Sequence, residues 1–199
     1  MIQTESDMKI RILLSAKKLF AQQGFDGTSV RQICEEAGAN VALISYYFGG
    51  KEKVFRAIFE SFFPGHRLAQ FEGVFKDPVE GLKLLVHEII HFSMTDMELS
   101  TIVQQEIMMN SPRKPIVTSF TYPVWFKVRE LLEKGREEGR FQFDSLDHAL
   151  MTVIGMILVH KKYDSFQPLL SNTHHDPCST AKQSWEIILR ALGASGSSA

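Results

Sequence analysis

Apolar residues recur at helical spacing along almost the whole chain. Ile10, Leu13, Ala16 and Phe20 predict a first helix from about Lys9 to Gln23, with these residues inward. Gly24 is placed to end it in a left-handed conformation, and Phe25 to pack back against it. Val30, Ile33, Cys34 and Ala37 form one apolar face of a second, short helix. Thr28 or Ser29 can cap its start, and Gly38 stops it. Asn40 can then cap a third helix, in which Val41, Ile44 and Phe48 are spaced to face inward. Ala42, Ser45, Tyr46 and Tyr47 are left mostly outside. Gly49-Gly50 breaks the chain before a fourth helix opened by Lys51. Val54, Phe55, Ile58, Phe59 and Phe62 give it a wide apolar stripe, and Pro64-Gly65 marks its end or a kink.

The pattern stays helical after Asp77-Pro78. Helices are expected over Val79–Met94, Leu99–Met109, Val117–Glu138, Leu146 to about Tyr163, and Thr180–Leu192. Ser111-Pro112 and Pro115 end the second of these. Pro123 must sit in the first turns of the third or bend it. Gly139 closes that helix, Arg140 to Phe143 form an extended link, and Ser145 caps the next. Residues 1–8 read as a loose arm and 193–199 as a frayed tail. Nothing alternates with the period of a strand and no internal repeat is found, so the expected fold class is all-α.

Composition narrows the function. A chain of 199 residues can bury a sizeable core, as one domain or as a small domain fused to a larger one. A formal charge of −1 excludes a polybasic coat for nucleic acid, so DNA binding has to come from a local surface. No signal-peptide pattern and no apolar run long enough to span a bilayer is present. With Cys34 on an apolar face and Cys178 far away, a reduced, cytoplasmic protein is expected, with no membrane partner.

The two short helices over about 29–48 are a helix-turn-helix candidate. The second exposes small, hydrogen-bonding and aromatic groups near its start, which suits a DNA major groove. The ordered set Ala16, Phe20, Gly24-Phe25, Thr28-Ser29-Val30, Ile33, Ala37-Gly38, Ile44, Tyr46-Tyr47-Phe48 and Lys51-Glu52 resembles the DNA-binding domain of the TetR family of bacterial transcriptional regulators. The resemblance runs from Ile10 to Glu60. More loosely, Gln105-Glu106-Ile107 with Pro112, Gly135 to Gly139 and Ile154-Gly155-Met156-Ile157 resemble the regulatory half of one TetR branch.

The resemblance implies an N-terminal three-helix head (1–50), joined by a fourth helix to a larger helical regulatory and dimerisation domain (51–193), with a flexible tail (194–199). It implies a homodimer on double-stranded DNA with an inverted-repeat operator, most often a repressor released by a small-molecule effector, and no enzyme. Thr28, Ser29 and Arg31 fall where phosphate is met; Asn40, Val41, Ala42 and Ser45 where bases are read; Tyr46 and Tyr47 where a ring or hydroxyl is offered; and Lys51 at a phosphate-contacting lysine. Two departures stand out. Ser45 occupies a position where many members carry tyrosine, and Ala39 to Gly50 carries no charge. Modest affinity per half-site and a need for dimerisation follow. The family's interface uses the last two long helices, which makes Leu150, Val153, Ile154, Ile157, Leu158, Trp185, Ile188, Leu189 and Leu192 the dimer candidates, with Gly155 allowing close approach. The same surface could instead close the monomer core.

An adaptable apolar effector pocket is expected from His91, Met94, Met108, Trp125, Phe126 and Met151, although such residues also build ordinary cores. His174-His175-Asp176 with Cys178 invites a metal reading but lacks a partner cluster of recognised spacing. His87, Glu88 and His91 match the letters of a zinc-hydrolase motif, which would need a third ligand and an open cleft. No cofactor or metal is expected. The rival to a transcriptional regulator is a site-specific DNA protein acting through a protein partner.

Overall fold

A computed structural model describes residues 5–171 and 176–194. His174 and His175 lie outside these. Ten α-helices occur among the described residues: α1 Glu5–Gln23, α2 Val30–Ala37, α3 Val41–Tyr47, α4 Lys51–Phe62, α5 Pro78–Thr95, α6 Met97–Met108, α7 Lys114–Glu137, α8 Leu146–Leu158, α9 Tyr163–Phe166 and α10 Pro177–Ala191. Short 3₁₀ turns fill Pro64–Phe71, Val74–Lys76, Val159–Lys162 and Gln167–Leu169. No strand occurs among the described residues.

Local signals place most boundaries. Glu5 and Asp7 put acidic groups in the first turn of α1, where they complement its dipole, so the helix reaches into the stretch expected as a loose arm. Asp77 Oδ1 accepts the Val79 and Glu80 amides at the head of α5. Those bonds hold its carboxyl below the usual carboxylate range. Pro115 opens the first turn of α7 instead of ending α6, because its missing N–H is one the first turn leaves unused anyway. Pro123 consequently lies well inside α7, not in its first turns.

The contacts divide the chain into two compact units, and the division does not follow sequence order. The first runs to Pro64 and takes in Asp96–Thr121; the second comprises Gly65–Thr95 and the chain from Tyr122 onward.

In the first unit α1 packs on α2, α4 and α6. Ile12, Phe20, Ile33, Ile44, Phe55, Phe59, Leu99 and Ile102 are almost wholly buried there. Phe20, Phe25 and Phe55 meet at centroid distances of 5.2–5.8 Å. Polar contacts join α6 to α1. Lys17 Nζ lies 2.9 Å from both carboxylate oxygens of Asp96, and Gln105 donates to the Ala21 carbonyl at 3.2 Å. Two inward assignments fail. Ile10 is exposed, because the inner row of α1 runs through Ile12. Val41 is 49% exposed although it shares a side with Ile44, because it opens the first turn of a seven-residue helix, at the end away from the buried Ile44.

In the second unit α5 packs against α8 and α10. Leu82, Val86, Ile90, Leu131, Leu132, Phe141 and Ile157 belong to its core. Val153, Ile157, Trp185, Ile188 and Leu192 are buried in the same cluster. These five dimer candidates are therefore buried within their own unit. Helix register turns these positions inward, and the unit takes them to close its own core. Leu150, Ile154, Leu158 and Leu189 are half-buried. Buried His160 also belongs here. Its Nδ1 faces the Ile157 carbonyl at 2.9 Å and its Nε2 lies 2.7 Å from the Ser93 hydroxyl. Burial pushes its pKa below the usual histidine value.

Candidate nucleic-acid interface

Helices α2 and α3 are each built by their own residues. Ser29 is the N-cap of α2: its hydroxyl accepts the Gln32 amide at 3.2 Å, and the Gln32 side chain accepts the Ser29 amide at 2.8 Å, a reciprocal capping box. Gly38 ends α2 at φ 62°, and the Ala39 amide closes the turn on the Cys34 carbonyl at 2.8 Å. Arg11 donates to the Ala37 carbonyl beside it. Asn40 Oδ1 then accepts the Ala42 amide at 2.9 Å and starts α3. The cap leaves the Asn40 NH₂ unused.

One side of α3 faces outward. Asn40, Val41, Ala42, Ser45 and Tyr46 are exposed, and Tyr46 is 77% so. Tyr47 is half-buried, 5.2 Å from the Tyr46 ring and with the Lys9 ammonium 5.0 Å from its centroid. This face offers an amide, hydroxyls and two small apolar groups. Those groups suit adenine edges, hydroxyl-tolerant positions and thymine methyls. Its charge is zero from Ala39 to Gly50, so phosphate attraction has to come from neighbouring elements. Arg31 is exposed on α2 but pairs with Glu35 at 3.1 Å, an exposed contact that a phosphate can displace.

Thr28 and Lys51 face another way. Thr28 is 1% exposed and its hydroxyl donates to the Gly24 carbonyl at 2.8 Å. The Lys51 ammonium donates to the carbonyls of Phe25 at 2.9 Å and Thr28 at 2.7 Å, and lies 4.1 Å from the Phe25 ring centroid. Both side chains hold the α1–α2 turn closed. A second cation at the same ring was not legible in the sequence. The Arg113 guanidinium, just ahead of α7, also lies 4.1 Å from the Phe25 centroid and reaches both Asp26 and Glu106.

The six residues proposed for an effector pocket do not share one unit. Met108 belongs to the first unit and the other five to the second. Met108, Phe126, Met151 and His91 are exposed, while Met94 and Trp125 are partly buried against the second core. Residue type suggested a lining, but helix register turned most of these side chains outward. A groove of about 380 Å³ lies instead along α8 and α10, lined by Thr152, Gly155, Met156, Val159, Ser184 and Ile187. Gly155 is open there, with nothing near its absent side chain. The Glu88 carboxylate pairs with Arg67 at 3.1 Å, and burial lowers the pKa of His87. Among the described residues no three His, Cys, Asp or Glu side chains are grouped to hold a metal, and no helix is long and apolar enough to cross a membrane.

Residues 12–58 match the model of the bacterial regulatory proteins, tetR family. The "Probable HTH-type transcriptional regulator YttP" of Bacillus subtilis (strain 168) is 28% identical over 156 residues, 76% of this chain and 75% of that protein. The HTH-type transcriptional repressor NicS of Pseudomonas putida (strain KT2440) is 27% identical over 151 residues, 73% of this chain and 71% of the relative. The crystal structure of HlyIIR, a hemolysin II transcriptional regulator, superposes with a TM-score of 0.78 at 25% identity, covering 96% of this chain and all of that one.

Proposed function

We infer that this chain, which carries the DNA-binding head of tetR-family bacterial regulatory proteins at residues 12–58, is a sequence-specific DNA-binding regulator of transcription. The exposed, uncharged face of α3 carries the reading. Asn40, Val41, Ala42, Ser45 and Tyr46 point outward from a helix-turn-helix whose backbone is fully capped. These five are the proposed base and backbone contacts, with Tyr47, Ser29 and Arg31 beside them on the phosphates. Thr28 and Lys51 act from behind, by holding the turn that aims α2.

A face so poor in charge has little of the electrostatic attraction that dominates DNA affinity, so one head binds weakly and two must act together. We propose a homodimer across an inverted repeat. Its interface is the exposed apolar strip of Met151, Gly155, Val159 and Ile187, together with the half-buried Ile154 and Leu158. The output we propose is repression, the activity named for NicS. Its signal would be a small apolar effector held in the second unit, where Met94, Met156 and Trp125 are partly buried against the core and thioethers can repack around a guest.

Selection of bound fragments from sheared genomic DNA tests this reading. Wild-type protein is expected to enrich an inverted repeat. Tyr46→Ala should bind that repeat about fivefold to tenfold more weakly with unchanged stability, since its side chain stands free of the core. Ile187→Glu should leave each monomer folded, shift the sedimentation to monomer, and abolish tight binding. Enrichment of nothing, or of unrelated sequences, would sink the reading.

A further inference from the structure

We propose that Arg113 is a positioning residue for DNA binding, holding the α1–α2 turn in the conformation that aims α2. The proposal rests on the head being a DNA reader. Arg113 is 8% exposed, and so is one of the few charged groups buried in the first unit. Its Nε donates to Glu106 Oε2 at 3.1 Å, and Glu106 is itself 5% exposed. The Ser111 hydroxyl donates to the same carboxylate oxygen. The other end of the guanidinium spans both carboxylate oxygens of Asp26, at 3.0 and 3.4 Å. Its carbon stands 4.1 Å from the Phe25 ring centroid.

Burying such a pair adds little stability over apolar residues of the same volume. It does supply direction, because a planar fork bound at both ends admits one orientation. The restrained residues are consecutive and sit immediately ahead of the reading motif. Phe25 gives its carbonyl to the Thr28 amide at 3.1 Å and to the Lys51 ammonium at 2.9 Å. Asp26 is followed by Gly27, Thr28 and the N-cap Ser29. The buried Phe25 ring under the guanidinium restrains the turn, the solvent-exposed Asp26 carboxylate adds a weaker, screened bond, and together they favour one aim for the start of α2. Arg113 reaches this turn from the segment joining α6 to α7, far from it in sequence and in the same unit. A contact to DNA is not part of its role.

The test compares wild type with Arg113→Ala, Arg113→Lys and the paired variant Glu106→Gln/Arg113→Met, which removes the buried charges together and leaves neither orphaned. The probe is the inverted-repeat duplex that wild-type protein enriches from genomic DNA, titrated across a salt series. Amide exchange at Thr28 and Gln32 is followed without DNA. The paired variant is expected to keep its cooperative unfolding and to bind about tenfold more weakly. The slope of log affinity against log salt should stay that of wild type, because no phosphate contact is lost. The Thr28 amide should exchange about tenfold faster while core amides do not change. Arg113→Lys, which keeps the charge but not the fork, should recover only part of the affinity. Binding within twofold of wild type with unchanged Thr28 exchange would overturn the proposal. So would a slope reduced by about one, which would put Arg113 on a phosphate. If wild type enriched no duplex, the DNA reading would fall, while faster exchange at Thr28 would still support Arg113 as the residue that holds the turn.

Discussion

Lys51→Met separates a lysine that holds DNA from one that holds the head together. In the structure the ammonium gives hydrogen bonds of 2.9 and 2.7 Å to the Phe25 and Thr28 carbonyls. It also stands 4.1 Å from the Phe25 ring centroid. A hydrogen bond to a charged group contributes about 1.5–3 kcal/mol, and a cation over a ring about 0.5–1 kcal/mol at a partly exposed site. Methionine keeps the packing of the stem, so only the polar terms are lost. The site is half-exposed and water can replace part of each bond. The expected loss is therefore about 2–3 kcal/mol, well below the sum of the separate terms. For a chain of this size that is a fall in Tm of about 4–12 °C. Urea unfolding gives the stability, and a salt titration of operator binding gives the number of phosphates neutralised. The expected result is lower stability with an unchanged salt slope. Stability within about 0.5 kcal/mol of wild type, together with a slope reduced by about one, would refute the reasoning and return Lys51 to the DNA backbone.

Three further outcomes are expected. Gly135→Ala, normally favourable in a helix, should destabilise the second unit by about 2 kcal/mol or more, because the new Cβ would meet the buried Phe141 ring at 2.1 Å; thermal unfolding no lower than wild type would contradict this. His160 has a folded pKa below its ordinary value, so the unfolded chain takes up protons first as pH falls. Its contribution is complete above the unfolded value near 6.5 and is lost as pH drops through the folded pKa. Urea midpoints at about pH 7.5 and about pH 5.5 should therefore differ less in His160→Gln than in wild type; an identical pH dependence would show that His160 is not its source. Asp77→Ala should cost about 1 kcal/mol by removing the cap of α5, and Asp77→Asn much less; equal losses in urea unfolding would mean that the charge, not the cap, matters.

Much of the reading head was legible because its determinants are local. Ser29 and Gln32 are three residues apart and cap one another. Gly38 takes the left-handed turn that few other residues adopt, and Asn40 caps with its own side chain. The ordered spacing from Ala16 to Glu52 was enough to show the likeness to the tetR-family head that residues 12–58 match. Interactions within a few residues do not depend on what the rest of the chain does. The direction of Thr28 and Lys51 was not legible in the same way. Both lie where DNA contacts were expected, yet both are turned onto carbonyls of the α1–α2 turn. That choice depends on Phe25, whose ring is placed by Phe20 and by Phe55 from the next helix but two.

The sequence by itself determined an all-helical chain, the helix-turn-helix at 29–48, and an α3 face free of charge. Helical period, caps and glycine turns are properties of neighbours along the chain. Only the tertiary structure decided which face of α8 and α10 the second unit keeps. Val153, Ile157, Trp185, Ile188 and Leu192 were as apolar as an interface requires, and the core took them first, leaving Met151, Val159 and Ile187 outside. It also decided that Asp96–Thr121 joins the head. Lys17, Gln105 and Arg113 make that connection across gaps of more than seventy residues, and no periodicity can register a pairing between charges so far apart.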